Sequence, residues 1–468
     1  MVHRTKAGGT VLGLALALSA CQPAEPVLPG ERFDLRNMDG ARSSIAELSP
    51  EAAAGVQAGP VPVALKRIPN PPYGVSGEAR PITLPAPRVN VDWAQAGGSV
   101  QHMISQPALG PVLTEAWTVS IGQGDRQRVR MATDPVVAGG RVLTMDAHSV
   151  VSAHGVDDGR VLWRRDLTPP REKAGQAAGG GFAVADGRVF VTTGYGQVQA
   201  LDLTTGAGIW TQKLGAVPTG GPAVEGGIVY LTSRDGQGWA LDADTGRILW
   251  QINGSDSGTV NVSGAAPAVS GNTALFPFGS GEVVATLKRG GVRLWSTTVS
   301  GQRQGRAYAG IGDIAGDPVI VGNTVYVSNA GGRLAALNLT TGERMWTARE
   351  GALGPVWPVG GSLFLISDDN HLLRMNAADG AVLWRATLPL FVEERVRRRA
   401  GIFAHYGPVL AGGRLIVVSS DGLMRQIDPA SGRLIEASKL SAGAVANPVV
   451  AGRTLYVVTA DGRLHAFR

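Results

Sequence analysis

The chain has 468 residues, 66 of them glycine, and a formal net charge of +6. Glycine is about twice its usual share of roughly 7%, and the charged fraction of 17% is low. This composition indicates many short strands joined by tight turns, and the length exceeds one ordinary compact domain unless the chain is a repeat array. The mild charge, without a long basic stripe interleaved with aromatic residues, excludes a typical nucleic-acid-binding protein.

The first twenty residues have the pattern of a bacterial export signal. Arg4 and Lys6 precede the apolar run TVLGLALALSA, which is too short to span a bilayer as a permanent helix. Cys21 follows and is the only cysteine, so no internal disulfide is possible. The residues Leu18–Cys21 resemble the bacterial lipobox, which implies cleavage before Cys21 and a covalent lipid on it. The alternative is an ordinary secretory signal with a chance cysteine.

Residues 21–92 differ from the rest of the chain. The stretch from residue 22 holds 12 of the 28 prolines and shows little apolar periodicity. We therefore predict a lipidated, proline-rich tether that ends at residue 92. The segment GERFDLR at 30–36 is more apolar and more charged than a spacer needs, and it could dock on the body or on a partner.

From residue 93 onward the chain repeats one pattern. Two alternating apolar runs surround a turn of Gly, Asp or Asn, which predicts a hairpin. A run of the type GxVxALD adds a third strand, and a run that ends in tryptophan adds a fourth. Four antiparallel strands per repeat predict an all-β fold, a β-propeller. The hairpins lie at 134–146, 181–193, 221–233, 317–329 and 447–459.

The positions of the tryptophans predict the number of blades. In six repeats a tryptophan lies four residues after the turn glycine, and in the next repeat Glu436 takes that position. The chain then ends after three strands, and the strand around Trp117 supplies the missing fourth. We predict eight blades, with the ring closed by this N-terminal strand; the alternative is seven blades and a stray hairpin. The docking tryptophans are Trp117, Trp163, Trp210, Trp250, Trp295, Trp346 and Trp384.

The turn and the tryptophan have separate physical roles. The turn requires a residue with positive φ, which glycine adopts without steric cost. The indole is a large flat apolar group, and we expect it to pack against the neighbouring blade because no blade can bury its own faces.

The stretch Ala240–Trp250 resembles the tryptophan-docking repeat of propellers of the pyrroloquinoline-quinone (PQQ) type, and the resemblance covers about residues 112–468. Quinoprotein alcohol dehydrogenases share this repeat. In that family the site contains adjacent disulfide-bonded cysteines, a Ca²⁺ ion and an Asp base. This chain has no second cysteine and lacks the family's long pocket-building loops. We therefore expect no catalytic residue, no metal and no cofactor besides the lipid on Cys21, with a PQQ-dependent dehydrogenase kept as the alternative.

The lipobox, tether and eight blades also resemble the BamB family, the non-enzymatic lipoproteins of the outer-membrane β-barrel assembly machinery. That resemblance implies a lipid-anchored scaffold on the periplasmic face of the outer membrane of a Gram-negative bacterium. Its implied partners are the periplasmic domains of BamA and other assembly lipoproteins, and direct contact with unfolded outer-membrane proteins stays open. A propeller scaffold of another envelope complex is a further alternative.

Two loops of this family carry the implied partner contacts. A family loop of the pattern Leu-Ser-Leu-Arg-Gly corresponds here to VNVSG, which keeps apolar residues at Val260 and Val262 but has Ser263 in place of arginine. A second loop, Asp-Val-Asp in the family, corresponds to Asp313 and Ala315, so only its first acid is kept. The partner-binding residues implied by these loops and by the basic residues just before them are Val260, Val262, Ser263, Arg303, Arg306, Asp313 and Ala315.

Two further stretches can be interpreted either as ordinary loops or as binding surfaces. Arg303 and Arg306 either extend the partner surface or belong to an ordinary loop. The run EERVRRRAG at 393–401 is either a solvated loop or a contact for an acidic partner or for anionic lipid head groups. The seven histidines show no metal-ligand spacing.

Overall fold

Short antiparallel strands form almost all the regular structure of the chain. The computed structural model describes residues 63–126, 129–255, 264–299, 301 and 312–468. The chain divides into two units, Met1–Ala58 and Gly59–Arg468, and every described residue belongs to the second. Within the described ranges, no helix combines the length and the apolar character needed to cross a membrane.

The strands form eight sheets. The first half of the chain contributes β1 (Val63–Ala64), β2 (Gly74–Gly77), β3 (Thr114–Ser120), β4 (Val136–Ala138), β5 (Arg141–Met145), β6 (Val150–Gly155), β7 (Val161–Asp166), β8 (Gly180–Ala185), β9 (Arg188–Thr193), β10 (Gln197–Asp202), β11 (Gly208–Lys213), β12 (Ala223–Glu225), β13 (Ile228–Thr232), β14 (Gln237–Asp242) and β15 (Ile248–Asn253).

The second half contributes β16 (Ala268–Ser270), β17 (Thr273–Pro277), β18 (Glu282–Leu287), β19 (Arg293–Thr298), β20 (Val319–Val321), β21 (Thr324–Asn329), β22 (Arg333–Asn338), β23 (Arg344–Ala348), β24 (Trp357–Val359), β25 (Ser362–Ile366), β26 (His371–Asn376), β27 (Val382–Thr387), β28 (His405–Ala411), β29 (Arg414–Ser419), β30 (Leu423–Ile427), β31 (Leu434–Lys439), β32 (Val449–Ala451), β33 (Thr454–Thr459) and β34 (Arg463–Phe467). Two 3-10 turns lie at Ala96–Gly98 and Val396–Arg398.

Each sheet is one propeller blade, and the first strand of each blade faces the central axis. Blades 1 to 7 are β4–β7, β8–β11, β12–β15, β16–β19, β20–β23, β24–β27 and β28–β31, and blade 8 consists of β32, β33, β34 and β3. In blade 8, β3 pairs antiparallel with β34, with Trp117 opposite Ala466. The Nδ1 atom of His465 also lies 2.6 Å from Oε1 of Glu115. The prediction of eight blades closed by the N-terminal strand is therefore confirmed, and the seven-blade alternative is wrong.

Each predicted docking tryptophan packs on the turn glycine of the next blade. A Cβ atom placed on Gly246 would lie 2.5 Å from the Trp210 ring, and Gly246 has a φ of +74°. The indole N–H of Trp210 donates to the carbonyl of Ala243, at 3.0 Å. The other ring–glycine pairs are Trp117–Gly159, Trp163–Gly206, Trp250–Gly291, Trp295–Gly342, Trp346–Gly380 and Trp384–Gly432.

Trp250 differs from the other six tryptophans in its hydrogen bonding. The hydroxyl of Tyr230 donates to the carbonyl of Lys288, at 3.0 Å, at the repeat position where the other indoles find their acceptor. The indole nitrogen of Trp250 is buried and has no hydrogen-bond partner. Tyr230 is fully buried beside the Trp250 ring, with the two ring centroids 6.1 Å apart. Blade 3 thus joins blade 4 through both aromatic residues.

The absence of a tryptophan at Glu436 follows from the way in which the ring closes. The next blade takes its fourth strand from the N-terminal part of the chain, so no turn glycine follows β34 for a ring to pack on. Glu436 instead pairs with Arg67, at 3.2 Å. The chain around Arg67 bonds to β31, because Ile68 N donates to Ala437 O at 2.8 Å and Lys439 N donates to Lys66 O at 2.9 Å.

Residues 63–77 run along the outer edges of three blades, and residues up to 92 also bond to the propeller, which differs from the tether that the sequence led us to expect there. The strand β1 pairs with β3 in blade 8, and β2 pairs with β27 in blade 6. Each pairing spans only two to four residues, so it leaves no periodic apolar pattern, and prolines are tolerated on edge strands. The signal peptide at 1–20, Cys21 and the tether up to residue 62 lie outside the described residues and stay predictions.

The docking geometry predicts that Gly246→Ala destabilises the propeller more than Gly226→Ala. Both glycines have positive φ, but a Cβ at Gly226 has open space around it. Alanine in this backbone conformation costs about 1–2 kcal/mol, and overpacking against the Trp210 ring adds about 1–3 kcal/mol. Urea unfolding of the two variants measures the difference. Equal losses would show that the ring does not press on the glycine.

Candidate functional site

The loops that join the outer strand of one blade to the inner strand of the next all lie at one end of the propeller, which we call the mouth. Both predicted partner loops are of this kind, since residues 254–267 link β15 to β16 and residues 299–318 link β19 to β20. A central cavity of about 860 Å³ is lined by residues of these mouth loops. The mouth is therefore the end at which loops from all eight blades meet around the axis.

The opposite end of the central channel is occupied by residues 93–110, which we call the axial segment. It follows the inner strands from blade to blade, and Trp93 also stacks on Trp357 of blade 6, with ring centroids 6.3 Å apart. Both rings are almost fully buried. The contacts of the axial segment with blades 1 to 5 are Trp93 with Val137, Ala94 with Val184, Gln95 with Val224, Val100 with Val269 and Gln101 with Ile320. Trp93, Gln95 and Ala96 form the floor of the cavity.

Hydrogen bonds between neighbouring blades hold the mouth together. Asp134 accepts two hydrogen bonds from Asn447, one from its backbone N and one from its Nδ2, both at 2.8 Å. Asn447 in turn accepts from the backbone N of Gly407, at 2.9 Å. The same pattern recurs where Asp317 accepts from the backbone N of Ala266, at 2.7 Å. In each bond, the residue that precedes a proline at the start of one blade bonds to the same repeat position of the blade before it.

Burial is the main cause of the pKa shifts of Asp134 and His405 at the mouth. The pKa of Asp134 is raised to about 6, mainly by burial and to a smaller extent by the Asp317 carboxylate, while the hydrogen bonds from Asn447 oppose the shift. Burial also lowers the pKa of His405 to about 4. Its Nε2 lies 2.8 Å from the carbonyl of Pro389. At neutral pH the Asp134 carboxyl is therefore mostly ionised and the His405 imidazole is neutral.

The structure places two of the predicted partner-binding residues. Ala315 is half-buried and lines the cavity at the mouth. Asp313 is only 2% exposed, and its role as a partner contact stays a prediction. Val260, Val262, Ser263, Arg303 and Arg306 lie outside the described residues, and their role stays a prediction.

Sequence reasoning missed the inter-blade hydrogen bonds and the axial segment. The repeats DPVV, DPVI and NPVV displayed Asp134, Asp317 and Asn447 in equivalent positions, but we interpreted them only as hairpin starts. The signal was therefore a polar residue before a repeated proline. The axial segment has no repeat and no periodic pattern, because its contacts with blades 1 to 5 each involve a different blade.

The cavity is a poor fit for a PQQ group. That cofactor carries three carboxylates, so its site must supply positive charge. Among the described residues, the cavity lining instead contains Asp125, Asp134 and Asp317, and the one arginine there, Arg130, is paired with Asp125 at 2.6 Å. The adjacent cysteines of the dehydrogenases have no counterpart in a chain whose one cysteine is Cys21.

One acidic cluster in the described part of the chain has the spacing of a metal site. Oxygen atoms of Glu350, Asp368 and Asp369 lie within 4.8 Å of one another. Protein donors already bind all three carboxylates: Arg385 reaches Glu350 at 2.6 Å, the backbone N of Gly351 reaches Asp368 at 3.0 Å and His371 reaches Asp369 at 2.9 Å. The cluster therefore has a structural explanation without an ion.

The raised pKa of Asp134 predicts a pH-dependent stability component. Because the folded state keeps the proton that the unfolded state releases, this component is present below about pH 4 and is lost as pH rises through 6. Asp134→Asn removes this component, so the unfolding free energy should decrease less between pH 4 and 7 than it does in the wild type. The difference should be about 3 kcal/mol at most. Urea titrations across this range measure the slope. Asp379→Asn, in an exposed turn, serves as the control, and an unchanged slope in Asp134→Asn would contradict the assignment.

Comparisons with known proteins agree with this architecture. The profile of the family described as "Outer membrane protein assembly factor BamB" matches residues 147–386 and 372–468. The protein of that name from Salmonella typhimurium is 30% identical over 358 residues, which is 75% of this chain and 88% of the relative.

Solved structures share the fold. The crystal structure of BamB from Moraxella catarrhalis superposes with a TM-score of 0.62 at 20% identity, covering 76% of this chain and all of that one. A europium-containing methanol dehydrogenase has the same TM-score at 14% identity, covering 81% of this chain and 98% of the other. These likenesses show the propeller fold alone, whereas the family is decided by the profile and the sequence identity. The chain belongs to the BamB family of outer membrane protein assembly factors.

Proposed function

We propose that the chain is a non-enzymatic scaffold of the outer-membrane protein assembly complex, and that it binds the periplasmic domains of BamA at the mouth. Family membership is the observation that carries this proposal. The architecture supports the location, because eight blade-connecting loops meet at one end and the opposite end is occupied by the axial segment. The acidic lining of the cavity supports a scaffold over a PQQ enzyme.

A scaffold works by holding its binding loops in fixed positions. The bonds of Asp134 and Asp317 join the start of one blade to the start of the preceding one. Loops that are fixed before binding lose little conformational entropy when a partner docks, which favours affinity. The apolar residues Val260, Val262 and Ala315 would supply buried contact area on this fixed frame. Other assembly lipoproteins, and unfolded outer-membrane proteins as clients, belong to the same proposal.

The lipid anchor places the scaffold at the periplasmic face of the outer membrane. Cleavage before Cys21 and acylation of its thiol and amine would give several acyl chains, which anchor far more firmly than one. Residues 22–62 separate this anchor from β1. A flexible coil of that length reaches roughly 35 Å root-mean-square, so the propeller can remain in the periplasm while the lipid stays in the membrane.

The partner contact can be tested by recovery of BamA on the tagged, lipidated chain from its own membranes. We expect co-purification with the wild-type chain and at least a tenfold loss when Val262→Asp is combined with Ala315→Arg, because charge replaces apolar contact at the mouth. Val292→Asp is the matched control, since Val292 is 60% exposed in a turn at the other end of the propeller. Full recovery with the double variant would refute the loop assignment, and no BamA with the wild type would refute the scaffold.

The non-enzymatic assignment has its own test. We expect the purified chain, mixed with PQQ and Ca²⁺, to bind no quinone in equilibrium dialysis, because three cavity carboxylates would repel a tricarboxylate. We also expect no reduction of an artificial electron acceptor by alcohols. A stoichiometric quinone complex with alcohol-dependent reduction would establish the enzyme instead.

A further inference from the structure

A projecting hairpin at the mouth has no role in the assignments above. It comprises residues 391–402, which we call the arginine loop, and it lies between β27 and β28. Its base is fixed by the backbone bond from Val392 N to Gly401 O, at 3.0 Å, and by the bond from Phe403 N to Leu390 O just beyond it, at 2.9 Å. The 3-10 turn Val396–Arg398 forms its tip. The loop is thus an ordered element that projects from the same end as the predicted partner loops.

The arginine loop concentrates positive charge that the rest of the described structure does not neutralise. Arg399 lies with its guanidinium carbon 4.6 Å from the Phe391 ring centroid, and its Nε donates to the carbonyl of Glu394 at 3.1 Å. Within the described residues, no carboxylate pairs with Arg395, Arg397 or Arg398, and all three side chains are exposed. Three guanidinium groups therefore remain available to a ligand outside the chain.

Exposed aliphatic side chains accompany these arginines. Val392 is 52% exposed, Val396 is 75% exposed and Ile402 is 63% exposed. Leu353, which is 59% exposed, lines the same cavity as Ile402 and as the predicted contact residue Ala315. The apolar surface of the arginine loop is therefore continuous with the mouth, and its burial by a partner would be favourable at about 25 cal/mol per Å².

The charge pattern indicates the chemistry of the occupant. Guanidinium groups match the geometry of carboxylates through paired hydrogen bonds, and arginine with apolar groups is typical of protein interfaces. Glu393 and Glu394 lie directly beside the arginines and are exposed. An anionic membrane surface would repel these two carboxylates, whereas a protein surface can match both signs. The mixed pattern therefore favours a protein over lipid head groups.

We propose that the arginine loop is a second partner-binding surface, which receives an acidic segment of a protein bound at the mouth through Arg395, Arg397 and Arg398 and through Val396. This deepens the proposed function by naming the surface chemistry of the partner, and it rests on that function only in expecting a partner at this end. The two loops around residues 260 and 313 and the arginine loop would then contact the partner from different sides of the channel.

Site-specific crosslinking tests the surface in the full-length lipidated chain in its own cells. A photo-reactive residue at Val396 should crosslink to one protein, and mass spectrometry should place the linked peptide in an Asp/Glu-rich segment. The combined change of Arg395, Arg397 and Arg398 to Glu should reduce this crosslink at least tenfold. Changing the acidic residues of the linked segment to Lys should restore it, because the charges are then complementary again.

Two controls separate charge recognition from damage to the fold. The same probe at Val292 reports on the opposite end, and the combined change of Arg247, Arg289 and Arg433 to Glu reverses three exposed charges in turns at that end. The Val292 probe should give no crosslink to the protein that Val396 reaches, and the arginine variant should leave the Val396 crosslink unchanged. All variants should melt at the wild-type temperature.

The outcomes distinguish failure of the arginine-loop proposal from failure of the scaffold proposal. A Val396 crosslink that reaches only lipid, that survives charge reversal or that does not form at all overturns the arginine loop as an acidic-partner site. If BamA is absent from the pull-down, the scaffold assignment fails. A rescued crosslink to an acidic segment of another identified protein would still establish the loop's role.

Discussion

The contact between an indole ring and a glycine governs this structure. Seven of the eight blade boundaries place a tryptophan on a glycine whose missing side chain leaves room for the ring. An indole buries on the order of 150–250 Å², so each contact contributes about 4–6 kcal/mol of apolar burial. A single blade cannot bury the apolar faces of its sheet without a neighbouring blade. The blades are stable only as neighbours, and the rigidity of the mouth depends on this packing.

The boundary between blades 7 and 8 differs from the other seven because of the way in which the ring closes. Blade 8 receives its outer strand from the N-terminal part of the chain, so the turn that a ring would cover does not exist. Glu436 and Arg67 replace the indole and glycine with a partly exposed ion pair, which is worth little by itself. The backbone pairing of residues 66–68 with β31 compensates by covering that edge. The boundary without an indole is thus the one that carries an extra segment of chain.

Local patterns allowed much of the fold to be predicted, and non-local contacts account for what was missed. Repeated hairpins and tryptophans gave the eight blades and the closing strand, because each depends on residues only a few positions apart. The edge pairings of residues 63–77 and the bonds of the axial segment join residues hundreds of positions apart without any repeat. The burial of Asp313 could not be predicted either, since the acid was assigned by resemblance to an exposed family loop. Asp134 and Asn447 were visible as repeat positions, but only the closed ring brings them together.

The axial segment and β3 also impose an order on folding. Residues 93–120 are synthesised before any complete blade, yet their partners extend to Phe467 and include the inner strands of successive blades. Such distant pairings make the contact order high, and chains with high contact order fold slowly. The strand β3 cannot pair with its neighbour in blade 8 until β34 has been synthesised. Unpaired strand edges attract other chains during that interval, so the topology exposes the folding chain to aggregation until the ring closes.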